Sequence, residues 1–300
     1  MRVWLPIAEW AEDVPSVVDV DVYDGGGPPS TIGDVELYVP PYMASSREPF
    51  EVMRSMTSLR VVQTLTAGVD NFLPYVREGV TLCNARGVHD ASTAELAVAL
   101  AVASLRGFPD FVRAQDRQEW APQLRPSLAD RTVLIVGYGS VGAAVEARLA
   151  GFECTVLRVA RRARDGVADM SALPDLLPRA DVVVLTVPMT DETSGLVDKS
   201  FLAAMPDGAL LVNVARGPVV VTDALLAELE TGRLRAALDV TDPEPLPPGH
   251  PLWSAPGLLL SPHVGGNTSA FLPRARRLVA EQVRRYCNGE TLLNVISGEY

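Results

Sequence analysis

Residues 132–152 read TVLIVGYGSVGAAVEARLAGF, and the fold is decided here. An apolar strand-like run, 132–136, leads into glycines at 137, 139 and 142, and a small-residue helix follows. Each glycine answers a physical need. Gly137 permits the tight turn, Gly139 lets a pyrophosphate approach the backbone, and Gly142 lets helix and strand pack closely. The start of the helix then offers unpaired N–H groups and the positive end of its dipole. A Gly-x-Gly-x-x-Gly pattern alone is weak, and a glycine-rich turn without a ligand is the competing reading. A strand before it and a helix after it are the confirming context for a dinucleotide site. Gly137, Tyr138, Gly139, Ser140, Val141 and Gly142 are therefore candidate cofactor-binding residues.

Short β-rich runs alternate with helical segments on both sides of this stretch. Before it come RVWLPI (2–7), VVDVDVY (17–23), VELYV (35–39), LRVVQTL (59–65) and VTLCN (80–84). After it come CTVLRVA (154–160), DVVVLTV (181–187), ALLVNVA (209–215), RAALDV (235–240) and GLLLSP (257–262). The later runs are continuously apolar, as parallel strands covered on both faces must be. Strands alternating with helices predict βαβ units and doubly wound sheets. Helices are expected at 50–56 and 71–77, over 91–119 with a break at Gly107 and Pro109, and over 269–286. The glycine–proline patch at 25–29 is a surface turn. The order predicts an α/β chain in which a nucleotide domain, 103–267, is inserted into a domain built from 1–102 and 268–300.

The 300 residues suffice for two domains, with 48% hydrophobic and 21% charged residues, close to globular averages. A net charge of −11 argues against nucleic acid and anionic membranes as partners and favours a small molecule. No run of 18 apolar residues predicts a membrane span, and the opening MRVWLPIAEW lacks the pattern of a secretion signal. Cys83, Cys154 and Cys287 are scattered and odd in number, which suits reduced thiols and a cytoplasmic setting. His89, His250 and His263 do not cluster with cysteines at metal-ligand spacing, so no metal is expected.

Folds that bind NAD usually place an acidic residue about 20 positions past the glycines, on the ribose hydroxyls. Here the second strand ends at Val159-Ala160 and is followed by Arg161-Arg162-Ala163-Arg164. A guanidinium at that place suits a 2′-phosphate, so Arg161 and Arg162 predict NADP as preferred cofactor, with NAD as the alternative. A solvated arginine-rich turn is the competing reading.

Three further runs start as apolar strands and end in polar residues, and ligands lie at the carboxyl ends of such strands. Arg216, the segment from Asp239 to Glu244, and His263 should thus converge on one cleft. Their chemistry is complementary for a 2-oxo acid. Arg216 can hold a carboxylate by paired hydrogen bonds, His263 can donate a proton, and Glu244 can orient the imidazole and favour its protonated form.

Taken together, the chain resembles the D-isomer-specific 2-hydroxyacid dehydrogenase family over nearly its whole length. The resemblance rests on SLRVVQTLTAGVDNF (58–72), GVTLCNARGVHDASTAELAVALAVASLR (79–106), VGYGSVG (136–142), LTVPMTDETSGLV (185–197), NVARGPVVVTDAL (213–225), LDVTDPEPL (238–246) and SPHVGG (261–266). It implies a Rossmann nucleotide domain within a flavodoxin-like substrate domain. It also implies catalytic roles for Arg216, Glu244 and His263, and substrate contacts from Ala67, Gly68 and Val69, with Arg216 and His263. Asp239 matches the aspartate near the nicotinamide carboxamide. Val187, Pro188, Thr193, Val214, Ala215 and Gly265 fall with it in the cofactor set. The family implies a homodimer, for which Trp120 and the helix before it are candidates, and a glyoxylate or hydroxypyruvate reductase activity. Two other readings stay open: a dinucleotide-sensing binding protein or corepressor on the same fold, and a phosphite-type dehydrogenase. Formate enzymes resemble the chain less, because they carry glutamine where Glu244 stands.

Overall fold

The computed structural model describes residues 1–44 and 46–297. In chain order the strands and helices are β1 Arg2–Leu5, β2 Asp19–Val22, β3 Val35–Tyr38, α1 Glu48–Glu51, β4 Val61–Gln63, β5 Thr81–Cys83, α2 Asp90–Arg106 and α3 Phe108–Asp116. There follow β6 Thr132–Val136, α4 Ser140–Leu149, β7 Thr155–Ala160, β8 Ala168–Asp169, α5 Leu173–Leu176, β9 Val182–Leu185 and α6 Lys199–Ala204. The last are β10 Leu210–Asn213, α7 Thr222–Glu230, β11 Arg235–Leu238, β12 Leu258–Leu260 and α8 Phe271–Cys287. Two units result: Met1–His89 with Ser269–Tyr300, and Asp90–Thr268.

In the second unit seven strands lie in the order β12-β11-β10-β9-β6-β7-β8, and every pairing is parallel. The order reverses at β6, where the glycine turn leaves the sheet, and a ligand crevice is expected at such a switch point. Strand periodicity divides the core. Val133, Ile135, Val182, Val184, Leu210 and Val212 face α2 and α4. Their neighbours Leu134, Val136, Val183, Leu185 and Leu211 face α6 and α7. Both faces are buried, which is why these strands read as unbroken apolar runs. Full burial of each aliphatic side chain contributes roughly 1.5–3 kcal/mol.

The first unit holds a five-stranded parallel sheet, β2-β1-β3-β4-β5, the doubly wound order of flavodoxins. Helix α8 joins it through Phe271, Ala275, Val279 and Val283, a stripe at four-residue spacing packed on Val3, Leu5, Leu37 and Val61.

Several details depart from the sequence reading. The division falls at 89/90 rather than 102/103, because α2 stays whole and buries Ala94, Ala97, Leu100, Ala101 and Leu105 in one core of the second unit. The break at Gly107 is present: the residue is left-handed, and α2 and α3 are bent by 63°. The segment 71–77 forms only a short 3-10 turn, Leu73–Tyr75, around Pro74. Strand β8 is two residues long and carries no readable period. No single helix among the described residues is long and apolar enough to cross a membrane, although α2 and α3 together pass on length and composition.

Candidate active site

The glycine turn has the geometry its sequence predicts. Gly137 and Tyr138 both donate their N–H to the Val159 carbonyl, at 2.8 and 2.9 Å. Gly137 has φ +104°, and a Cβ there would stand 2.5 Å from the Val187 nitrogen. A Cβ on Gly142 would meet the Gly137 carbonyl at 2.7 Å. At Gly139 the same test finds no heavy atom within 4 Å, so the backbone is bare on that side. Helix α4 begins at Ser140 without a side-chain cap. The first turn at Ser140, Val141 and Gly142 therefore suits an anion, and these residues fit a pyrophosphate. Thr186 adds a brace not foreseen from sequence, its hydroxyl donating to the Gly137 carbonyl at 2.7 Å.

Strand β7 ends at Ala160, and the following residues 161–166 are exposed. Arg161 and Arg162 thus stand exposed directly after the carboxyl end of β7. Arg164 returns toward the glycine turn, with its guanidinium 5.6 Å from the Tyr138 ring centre and a hydrogen bond to the Tyr138 carbonyl. Arg158 lies 5.8 Å from the same ring and grips Glu146, Nε to Oε2 at 2.7 Å. That hydrogen bond, outweighing partial burial, holds the Glu146 carboxyl below its usual range. On the other side of the turn, the loop 187–193 is tied by buried Thr193. Its hydroxyl donates to the Pro188 carbonyl at 2.7 Å and accepts the Thr190 N–H at 2.9 Å. Val187 is buried and Pro188 exposed.

Strands β10, β11 and β12 are neighbours, and Asn213, Leu238 and Leu260 are in register at their carboxyl ends. Arg216, Asp239, Glu244 and His263 all follow from that edge. Asn213 shapes the first loop: its Nδ2 donates to the Arg216 carbonyl at 2.9 Å and its Oδ1 accepts the Ala215 N–H at 3.0 Å. Val214 and Ala215 are buried, and the Arg216 guanidinium donates to the Ala215 carbonyl at 2.9 Å.

Asp239 organises the other loop. It is 3% exposed, and its carboxylate accepts from the Ser261 hydroxyl at 2.6 Å, the Val264 N–H at 2.9 Å and the Gly265 N–H at 2.8 Å. Its carbonyl takes the His263 N–H at 2.7 Å. Every bond holds the turn that carries His263, a residue with φ +52°. Such a backbone is uncommon outside glycine and persists where the surroundings enforce it. The His263 Nδ1 hydrogen-bonds Glu244 Oε1, and the two side chains are 35% and 39% exposed, so the imidazole is reachable. Burial pushes the Glu244 carboxyl up. The hydrogen bond and charge of His263, the Thr241 backbone and the Arg216 charge outweigh it and hold the carboxyl below its usual range. With Nδ1 engaged, Nε2 is the ring atom that can face a reacting oxygen.

In the other unit, the loop bearing Ala67, Gly68 and Val69 follows β4. The Thr66 hydroxyl donates to the Gly68 carbonyl at 2.7 Å, Asn84 Nδ2 donates to the Ala67 carbonyl at 2.8 Å, and Val69 is fully buried. The remaining histidines have packing partners. His250 Nδ1 accepts the Leu252 N–H at 3.2 Å, and His89 stacks against both Tyr42 and Phe271.

A seven-stranded parallel sheet with a bare glycine turn, a paired histidine and carboxylate, and an arginine on adjacent strand ends defines a nicotinamide-dependent oxidoreductase. Residues 98–265 match the profile of the D-isomer specific 2-hydroxyacid dehydrogenase family, NAD binding domain. A glyoxylate reductase of Thermofilum pendens is 33% identical over 255 residues, 80% of this chain and 75% of that protein. The mouse glyoxylate reductase/hydroxypyruvate reductase is 32% identical over 249 residues, 78% of this chain and 76% of its own. Among solved structures, a D-isomer specific 2-hydroxyacid dehydrogenase from Xanthobacter autotrophicus Py2, in complex with NADPH and MES, is 29% identical. Its TM-score is 0.82, with coverage of 99% of this chain and 97% of that one. This chain belongs to the D-isomer-specific 2-hydroxyacid dehydrogenase family and is an NAD(P)-dependent oxidoreductase.

Proposed function

We propose that the enzyme reduces short, polar 2-oxo acids, glyoxylate or hydroxypyruvate among them, to D-2-hydroxy acids. The carrying observation is the His263–Glu244 pair at the same sheet edge as Arg216. Arg216 holds the substrate carboxylate and polarises the 2-oxo group. Ala67, Gly68 and Val69 meet the carboxylate through their backbone. His263 delivers a proton from Nε2 to the carbonyl oxygen, and Glu244 keeps the imidazole oriented. Bound nicotinamide supplies the hydride to C2. Asp239 holds the His263 turn, a role in positioning. Val187, Pro188, Thr193, Val214, Ala215 and Gly265 line the cofactor.

NADPH is the preferred cofactor and NADH the alternative, because Arg161 and Arg162 follow Ala160 where an acidic residue would repel a 2′-phosphate. The relatives named glyoxylate reductase support the substrate class, and the NADPH-bound relative supports the cofactor choice. The enzyme acts in the cytoplasm as a homodimer without nucleic acid or membrane partners. Helix α3 and the segment after it form the dimer contact, supported by Trp120 and Leu124, which are 96% and 101% exposed. A panel of 2-oxo acids assayed with NADPH and NADH tests the assignment. Turnover of the small polar acids is expected, and no turnover with either cofactor would refute it.

A further inference from the structure

Besides His89, four polar side chains among the described residues of the first unit are buried without belonging to any reacting group. Gln63, Thr64 and Gln282 are 0% exposed and Asn84 is 7% exposed. Buried amides persist only when their hydrogen bonds are made. Gln282, on α8, donates from Nε2 to Gln63 Oε1 at 2.7 Å and to the Leu293 carbonyl at 2.9 Å. Its Oε1 accepts the Leu293 N–H at 2.8 Å. Gln63 passes the chain onward, donating to the carbonyls of Thr64 at 2.9 Å and Asn84 at 3.1 Å. Asn84 donates from Nδ2 to the Ala67 carbonyl at 2.8 Å and accepts the Arg86 N–H on Oδ1 at 3.1 Å. The segment after α8 closes the set: the Asn84 N–H reaches the Asn294 carbonyl at 3.1 Å, and Asn294 Nδ2 reaches the Arg86 carbonyl at 3.0 Å.

A buried chain of amides therefore runs from the last helix to the loop after β4 and ends on Ala67. Apart from the bond between Gln282 and Gln63, its partners are backbone carbonyls and N–H groups, which fix the direction of each amide. The apolar stripe of α8 packs without Gln282, whose amide instead bonds Gln63 and the Leu293 backbone. We infer that Gln63, Asn84 and Gln282 are positioning residues that set the Ala67–Val69 backbone for the substrate carboxylate. The inference rests on the substrate role proposed above for that loop.

The test compares Asn84→Leu and Gln282→Leu with the parent by three readouts. These are KM and kcat for glyoxylate with NADPH, NADPH affinity by nucleotide fluorescence, and amide hydrogen exchange at 65–69. A weakened hydrogen bond to a charged substrate group costs about ten- to a hundredfold in binding. KM is expected to rise about tenfold or more, with kcat changed far less, NADPH affinity unchanged and exchange at 65–69 faster. The double variant should be less than additive, since both residues act through one network. If Gln282→Leu fails to fold, Gln282→Met and Asn84→Ser carry the same comparison. Gly68→Val tests the loop itself. If Gly68→Val raises KM while the network variants do not, the positioning role is overturned and the loop assignment stands. If no variant moves KM, the loop assignment fails and the positioning role falls with it. A parallel loss of KM, kcat and NADPH affinity would mark general damage and likewise overturn the proposal.

Discussion

The two ends of the nucleotide sheet are built in opposite ways. At β10–β12 the polar loops are braced by buried side chains: Asp239 accepts three hydrogen bonds from 261–265, and Asn213 spans the turn before Arg216. At β7 the turn 161–166 is exposed along its whole length. The contrast fits the tasks proposed for the two ends. Proton transfer needs a donor held within hydrogen-bond reach of one atom, and small misplacement is expensive. Recognition of a phosphate needs charge of the right sign, which a solvated arginine supplies over a range of positions. The braced end should therefore be brittle and the open end tunable.

The largest effect should come from His263→Ala, which removes the proposed proton donor. Turnover is expected to fall by ~10²–10⁴, the usual contribution of a positioned acid–base group. NADPH affinity measured by fluorescence should stay near that of the parent. Next comes Asp239→Ala, which leaves the Ser261 hydroxyl and the Val264 and Gly265 N–H groups without their acceptor. A loss of roughly 100-fold in kcat is expected as the His263 turn shifts. A lower melting temperature should accompany it, because unmade buried hydrogen bonds are destabilising. Near-parent turnover in this variant would show that the bracing has no catalytic consequence.

The open end should respond differently. Arg161→Ala is expected to weaken NADPH by about 10- to 100-fold relative to NADH, since a hydrogen bond to a charged group contributes ~1.5–3 kcal/mol. Melting temperature and the turnover limit should hardly change. The ratio of kcat/KM for the two cofactors, at one fixed salt concentration, measures this. An unchanged ratio would mean that the turn is solvated surface only.

The smallest effect is a displacement on the pH axis. Glu244 is held below its usual carboxylate range, so it stays anionic through neutral and mildly acidic pH. It holds His263 by its hydrogen bond until pH falls through that lowered value. Glu244→Gln removes the anion at every pH, so the acid limb that protonation of Glu244 imposes on the parent's reductive profile should be displaced or lost. An identical profile in parent and variant would remove the assigned role.

Much of the fold and site is legible in the sequence, and the reasons are specific. The strands of the nucleotide sheet are covered on both faces, so β6, β9 and β10 announce themselves as apolar runs. Arg216 and His263 follow such runs directly, and that pattern alone places them at strand ends. Strand β8 is invisible because two residues carry no period. A short apolar span gives 71–77 a helical look, and Pro74 limits it to a 3-10 turn. The bracing is illegible for a different reason. Asp239 meets Gly265 across 26 positions and Gln282 meets Gln63 across 219, and no local spacing encodes either bond. Sequence therefore exposes the residues proposed to react more readily than those that hold them still.

The central claim is that His263, seated on the turn that Asp239 holds, protonates a 2-oxo acid during reduction. Its most direct test is kcat/KM for hydroxypyruvate with NADPH in the parent and in His263→Ala, with the glycerate formed resolved into its enantiomers. The account predicts D-glycerate from the parent and a loss of ~10²–10⁴ in the variant. L-glycerate, or a variant as active as the parent, would contradict it.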